Sequence, residues 1–328
     1  MVTVRDGWLG SLRLPLIAAP MFLVSGLELT RACCRGGIIG GFPAGNARTP
    51  EELGVWFDAL ERLAAEDEAA GPYAVNLTLA RKIEDNPIAA TVLKRQPPIL
   101  ISSVGDPTSM VARVHDWGGL IFHDVTNLRH AEKTAEAGVD GIILVCAGAG
   151  GHAGVVSPFA LLPQVRERFG GLIVLAGALS DGRSILAAQA LGADLGYMGT
   201  RFIATSESLA PDAYKAGLLE AQTKDIVYTP SISGLPASFI RQSIEAVGLD
   251  PAHLPPPLGL HRPDLPEGVR AWRDVWSAGQ GAGLVRDVPS AAALIDRLAE
   301  QYDVARADFL RALGRDADEV RPRAATMS

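Results

Sequence analysis

GIILVCAGAGGHAG, residues 141 to 154, joins an apolar run to a cluster of glycines around a single imidazole. Gly141 to Cys146 is apolar without alternation, as expected of a strand buried on both faces of a parallel sheet. Glycine loses more backbone freedom on folding than any other residue. Glycines 148, 150, 151 and 154 therefore predict a sharp turn or a close approach of backbone to a ligand. His152, whose ordinary pKa is near neutrality, can take or give a proton at such a point. The competing assignment is a loop histidine that only hydrogen-bonds backbone.

Seven further apolar runs of strand length surround this one: residues 15–20, 37–43, 73–78, 99–103, 120–125, 173–177 and 195–200. Between them lie stretches whose apolar residues recur three or four apart, including LELTRACC, PEELGVWFDALERLAAEDEAA, NLRHAEKTAEAG, SPFALLPQVRERF and GRSILAAQALG. Thr49-Pro50-Glu51 and Ser157-Pro158 carry helix-start signals. Strands alternating with helices give a parallel sheet. Eight such units close into an α/β (β/α)8 TIM barrel, with a doubly wound open sheet as the alternative.

The 328 residues exceed the roughly 250 that a barrel needs. The surplus falls after about residue 222, where the rhythm changes to the proline-rich GLDPAHLPPPLGLHRPDLPEG (248–268), flanked by helix-like ASFIRQSIEAV and VRAWRDVWSAG. The expected organisation is a barrel of residues 1–222 and 287–315, a small, mainly helical inserted domain of 223–286 that carries substrate selectivity, and a polar tail of 316–328. VPSAAALIDRLAEQY reads as an amphipathic helix returning to the barrel wall.

Thirty basic residues against 37 acidic ones leave a net charge of −7 with no basic block, which disfavours nucleic acid as a partner. Three cysteines make neither a disulfide framework nor a C-x-x-C metal site. The amino terminus lacks a signal-peptide pattern, and no run reaches the length of a membrane span. A soluble, cytoplasmic protein is expected, with the oligomeric state open, a homodimer included.

In a barrel the loops after the strands form the functional face, and the loops after strands seven and eight often hold a phosphate. LAGALSDG after strand seven, with Ala176, Gly177 and Ala178, and MGTRF after strand eight, with Gly199 and Thr200, stand where such a site belongs. Ala19-Pro20-Met21 after strand one is a further candidate. So are Asn76 and Thr78 at the end of strand three, which can bond a heterocycle edge or cap a turn. Gly150 and Gly151 flank His152. Asp124 is the one obvious strand-end acid, and Trp272, Trp276 and Gln280 border the site in the late segment. Neither GQGAG (279–283) nor GAGGHAG has dinucleotide-fingerprint spacing, no G-x-S-x-G is present, and His115, His123 and His130 form no zinc signature. Cys33 and Cys34 are assigned to the core.

The ordered set AAPM, AVNLT, AGGHAG, LAGALSDG and YMGTRF, from about Leu14 to Leu298, resembles the flavin-dependent nitronate monooxygenases, formerly 2-nitropropane dioxygenases, and the related flavin-type enoyl-acyl carrier protein reductases. The resemblance implies an FMN-binding (β/α)8 barrel with a helical substrate domain. Ala19, Pro20 and Met21 would lie along the isoalloxazine ring, Asn76 and Thr78 at its polar edge, and Gly177, Ala178, Gly199 and Thr200 on the FMN phosphate. His152 corresponds to the catalytic histidine. The chain departs from the family in having Ala-Ala-Pro-Met for Gln-Gly-Gly-Met, Ala178 for a glycine, and Asp124 where many members carry a flavin-contacting Lys. The implied activity is FMN-dependent oxidation of alkyl nitronates with O2. An NAD(P)H-dependent reductase of an enoyl thioester or quinone, and a non-redox barrel that binds a phosphorylated metabolite, are the alternatives.

Overall fold

Eight parallel strands alternate with helices and close on themselves: β1 (Leu16–Ala18), β2 (Ile39–Pro43), β3 (Tyr73–Thr78), β4 (Ile99–Ser103), β5 (Leu120–Val125), β6 (Gly141–Val145), β7 (Leu172–Ala176) and β8 (Leu195–Met198). The computed structural model describes residues 9–79 and 83–314. Closure is made by β1 against β8, in the register Leu16↔Gly196, Ile17↔Tyr197 and Ala18↔Met198. This is the (β/α)8 barrel that the apolar rhythm predicts, and the closed ladder excludes the open doubly wound sheet.

The unalternating runs have a simple cause, because successive side chains leave a strand on opposite faces and both faces are buried here. Ile17, Ile39, Ile101, Phe122, Ile143, Val174 and Leu195 fill the barrel interior. Leu16, Val75, Leu100, Ile121, Ile142 and Ile173 point outward into the layer under the helices.

The helices around the wall are α1 (Leu27–Arg35), α2 (Pro50–Glu66), α3 (Pro87–Arg95), α4 (Thr108–Asp116), α5 (Leu128–Glu136), α6 (Pro158–Arg166) and α7 (Gly182–Leu191). After β8 come α8 (Thr200–Ile203) and α9 (Asp212–Glu220). Thr49 caps α2 by accepting from Glu52 N–H at 3.2 Å, behind Pro50 in the first turn. Ser157 precedes α6 but makes no side-chain cap, so Pro158 alone marks that start.

The inserted stretch differs in content from the helical expectation. It holds an antiparallel pair, β9 (Ile226–Thr229) and β10 (Ala237–Ile240), one short α-helix, α10 (Arg241–Ala246), and two 3-10 turns at Thr223–Asp225 and Gln280–Leu284. The first four residues of ASFIRQSIEAV are thus strand rather than helix, drawn out by pairing with β9. VRAWRDVWSAG forms no helix and turns at Trp272, whose φ is +71°. Ile232, Ala237, Phe239, Ile244 and Val275 give this stretch its own small core, on which the division at 222/223 and 286/287 is proposed. The expected tail of 316–328 lies outside the described residues.

The chain returns through α11 (Ala291–Ala312), which packs between α1 and α7 through Leu294, Ile295 and Leu298. The fit is tight at Gly182, where an added Cβ would come within 2.2 Å of Tyr302 N and 2.3 Å of Leu298 O. Gly182→Ala should therefore destabilise the fold by about 1–3 kcal/mol in urea unfolding. Gly54→Ala, inside α2 with nothing within 4 Å of the new methyl, should stabilise it by about 0.5–1 kcal/mol. A neutral result at Gly182 would contradict the packing of α11 described here.

Candidate active site

The period of two that buries Phe122 inside the barrel places Asp124, two residues on, at the inner rim. The same step from the interior residues of the other strands brings Ala19, Asn76, Ser103, Val145, Ala176 and Tyr197 to that rim, and all of them line one cavity of about 1530 Å³. One side of the mouth is polar, built by Asn76, Thr78, Ser103 and Asp124 from β3 to β5. The other side is small, built by Ala176, Gly177, Ala178 and Gly199 from β7 and β8.

Each loop is held by partners distant in sequence. Ala19-Pro20-Met21 is pinned by Ser25, whose hydroxyl accepts Met21 N–H at 2.9 Å, and by Asn46, whose amide donates to Met21 O at 2.9 Å. Asn76 donates to Ile101 O at 3.1 Å and Ser103 Oγ at 3.2 Å, so its amide bridges β3 and β4 and leaves its carbonyl oxygen for the cavity. Gly177 has φ +145°, which L side chains rarely adopt, and Ala178 follows in the left-handed region at +56°.

Residues 277–281 form a strap that ties three loops together. Gly151 N–H donates to Ser277 Oγ at 2.8 Å, Gly279 N–H donates to Thr200 Oγ1 at 2.9 Å, and Ser180 Oγ donates to Gly281 O at 3.3 Å. Gly150 packs face to face with the strap, since an added Cβ would lie 2.9 Å from Gly279 N. The Thr200 hydroxyl thus accepts one bond from the strap and keeps its own proton to donate.

His152 stands in the cavity between the glycine loop and the insertion. Its Nε2 lies 3.3 Å from Ser233 Oγ, and that hydroxyl already donates to Leu235 O at 2.9 Å. The imidazole must then donate through Nε2, which leaves the lone pair on Nδ1. Trp272 packs edge-on against the ring, with centroids 5.1 Å apart at 75°. Desolvation first, and then the charge of His261, bring the His152 pKa down to about 4. At neutral pH it is an uncharged base of fixed tautomer. His123 also lines the cavity, but it leaves β5 on the opposite face from Asp124, with its Nδ1 2.8 Å from Ser102 Oγ.

Among the described residues, Asp124 Oδ1 is buried without a hydrogen-bond partner. Burial alone raises its carboxyl to about 7.

Of the residues the sequence singled out, His152, Gly150, Gly151, Ala19, Pro20 and Met21 line the cavity, as do Asn76, Thr78 and Asp124, and Ala176, Gly177, Ala178, Gly199 and Thr200. Gln280 does not: it is an exposed residue of the strap whose Oε1 lies over Gly148, while Gly279 and Gly281 line the cavity. Trp272 lines it, whereas Trp276 turns away to stack on Tyr214 at 5.1 Å. Sequence reasoning missed Tyr197, Ser103, Ser233 and His261. Tyr197 and Ser103 were within reach, because each sits two residues beyond an interior strand position. Among the described residues no helix is long and apolar enough to cross a membrane, and no cluster of metal-ligating side chains occurs.

A family model described as nitronate monooxygenase matches residues 50–301. The chain is 27% identical over 327 residues to a nitronate monooxygenase of Paraburkholderia phytofirmans, spanning 84% of this chain and 89% of that one. Among solved structures it is similar to the nitroalkane oxidase of Streptomyces ansochromogenes, with 25% identity, a TM-score of 0.76, and 90% and 98% of the two chains covered. FabK from Thermotoga maritima shares the fold, at 23% identity and a TM-score of 0.73 over 95% of this chain and all 100% of that one.

The buried carboxyl yields a test that needs no ligand. Between its ordinary value of 3.8 and about 7 the folded state holds a proton that the unfolded state has lost. Its contribution therefore falls as pH rises through that window, and the penalty is complete above it. Asp124→Asn should gain stability relative to the parent chain from pH 5 to pH 8, by on the order of 1 kcal/mol or more in chemical unfolding. A difference independent of pH would mean that the carboxyl is solvated.

Proposed function

The chain belongs to the nitronate monooxygenase family, and on that footing we propose that it is an FMN-dependent oxidoreductase that oxidises alkyl nitronates with O2. The observation that carries this is the convergence of His152, the small β7 and β8 loops and the polar β3–β5 edge on one cavity at the strand carboxyl ends.

The residues suit a flavin mononucleotide. Gly177, Ala178 and Gly199 leave a floor that side chains would fill, and backbone there, with the Thr200 hydroxyl proton, would hold the phosphate. Ala19, Pro20 and Met21 would lie along the ring, with Gly150 and Gly151 closing over it. Asn76, Thr78 and the orphaned Asp124 oxygen would meet its polar edge. Bound FMN supplies the two-electron acceptor and the site at which O2 is reduced.

The chain's own contribution is placement and proton transfer. His152 Nδ1 accepts the α-proton of a neutral nitroalkane, or positions the nitronate already formed. Ser233 holds the tautomer that exposes that lone pair, and Trp272 walls the ring in place. A reducing, cytoplasmic setting suits Cys33, Cys34 and Cys146, which are all free and buried. A second reading is reduction of an enoyl thioester or quinone by NAD(P)H.

The purified protein should be yellow, or become so with FMN. Anaerobic ethyl nitronate should bleach the flavin absorbance faster than NADH or NADPH does. Bleaching by a pyridine nucleotide alone would shift the assignment to the reductase, and a protein that stays colourless after FMN would make it a non-redox phosphate binder. His152→Ala should lower turnover of neutral nitroethane by about 10²- to 10⁴-fold, with a smaller loss on preformed nitronate. Because the imidazole is held neutral down to about pH 4, the nitroethane rate of Asp124→Asn, which removes the carboxyl raised to about 7, should be level between pH 5.5 and 8. A fall below pH 7 in that variant would show His152 protonated in that range.

A further inference from the structure

Asp124 is built in a way that cofactor contact alone does not require. Its side chain leaves β5 toward the barrel interior, between Ser103 on β4 and Ile143 and Val145 on β6. None of these carries a charge. Across the barrel the facing titratable group is the Tyr197 phenol on β8, whose own ionisation the Asp124 charge opposes. The imidazole of His152 lines the same cavity from the loop after β6. The neighbouring His123 points to the other face of the sheet, where Asp106 and His130 act on it. Among the described residues no cationic group compensates Asp124, and burial is the one cause acting on its ionisation. An ionised carboxylate with an oxygen that is buried and unbonded is costly, so the group is stable either as the neutral acid or with a ligand donor against it.

We propose that Asp124 is a proton-exchanging partner of the bound flavin, taking up a proton when the cofactor gains negative charge and releasing it when that charge is lost. This rests on the FMN reading above and goes beyond it. The electrons come from the substrate and leave to the oxidant. The proton comes from solvent to a carboxylate oxygen and returns to solvent, so the negative charge gained by the ring is offset by the charge lost at the carboxylate and the net charge of the pair is unchanged. A neutral carboxyl also offers a donor and an acceptor side by side, which complements the N–H and C=O groups of a ring's imide edge. An isosteric amide keeps that pairing and loses the titration.

The test compares the FMN-loaded parent chain with Asp124→Asn by anaerobic reductive titration from pH 5.5 to 9, reading the flavin midpoint potential and, with an indicator dye, the protons taken up. Below the carboxyl's pKa the two proteins should behave alike. Above neutrality the parent's potential should fall more steeply with pH, and it should take up about one more proton per flavin than the variant. Parallel profiles across the whole range would overturn the inference while leaving the FMN reading intact. Failure of the parent chain to take up FMN would overturn both. Should the variant not fold, the parent alone decides: its reduced-minus-oxidised infrared difference spectrum at pH 8 should show a protonated-carboxyl C=O band that shifts in D2O, and absence of that band overturns the proposal.

Discussion

The short ladder between β1 and β8 is the contact on which the molecule depends. With only three residues in β1, it joins the first strand of the chain to the eighth and turns a sheet with two open edges into a closed wall. Closure sets every strand's carboxyl end at one rim, so loops separated by up to about 180 residues face the same space. The small residues of the β7 and β8 loops then oppose the Ala19-Pro20-Met21 turn directly: a Cβ on Gly199 would lie 3.4 Å from Met21 Sδ and 3.7 Å from Ala19 Cβ.

The strand-end residues of that rim hold little formal charge among the described residues. Its imidazole is neutral, its carboxyl is pushed toward neutrality, and its phenol is pushed up, all chiefly by burial. In such a site polarity comes from fixed dipoles and from which atom carries a proton, so single hydrogen bonds have large leverage. The Ser233–His152 contact is of this kind, since one hydroxyl from the insertion decides which ring nitrogen is basic.

The barrel was legible because a strand buried on both faces must be apolar at every position, a pattern that needs no knowledge of its neighbours. The insertion was not. Ala237–Ile240 takes its conformation from Ile226–Thr229, a strand with no comparable signature, and the three-to-four spacing of Val269, Trp272 and Trp276 imitates a helix that Trp272 breaks at φ +71°. The same distinction holds at the site. His152 and the glycines announced themselves through local composition, and the small β7 and β8 residues through their strand positions. The Ser233 partner, 81 residues from His152, and the orphaned oxygen of Asp124 are properties of assembled space. Gln280, placed at the border of the site with Trp272 and Trp276, is exposed on the strap, and its amide oxygen lies 3.2 Å from where a Cβ on Gly148 would stand.

The strap at 277–281 and the helix α11 that follows it also bear on biosynthesis. The loops after β6, β7 and β8 leave the ribosome well before the residues that tie them, and the seam between α1 and α7 stays uncovered until Ala291–Ala312 has emerged. A nascent chain at residue 270 has all eight strands but an unfastened mouth. Such a topology, rich in contacts between early and late segments, folds slowly and exposes apolar surface while it waits. The partly made protein is therefore the state in which this chain exposes the apolar seam between α1 and α7.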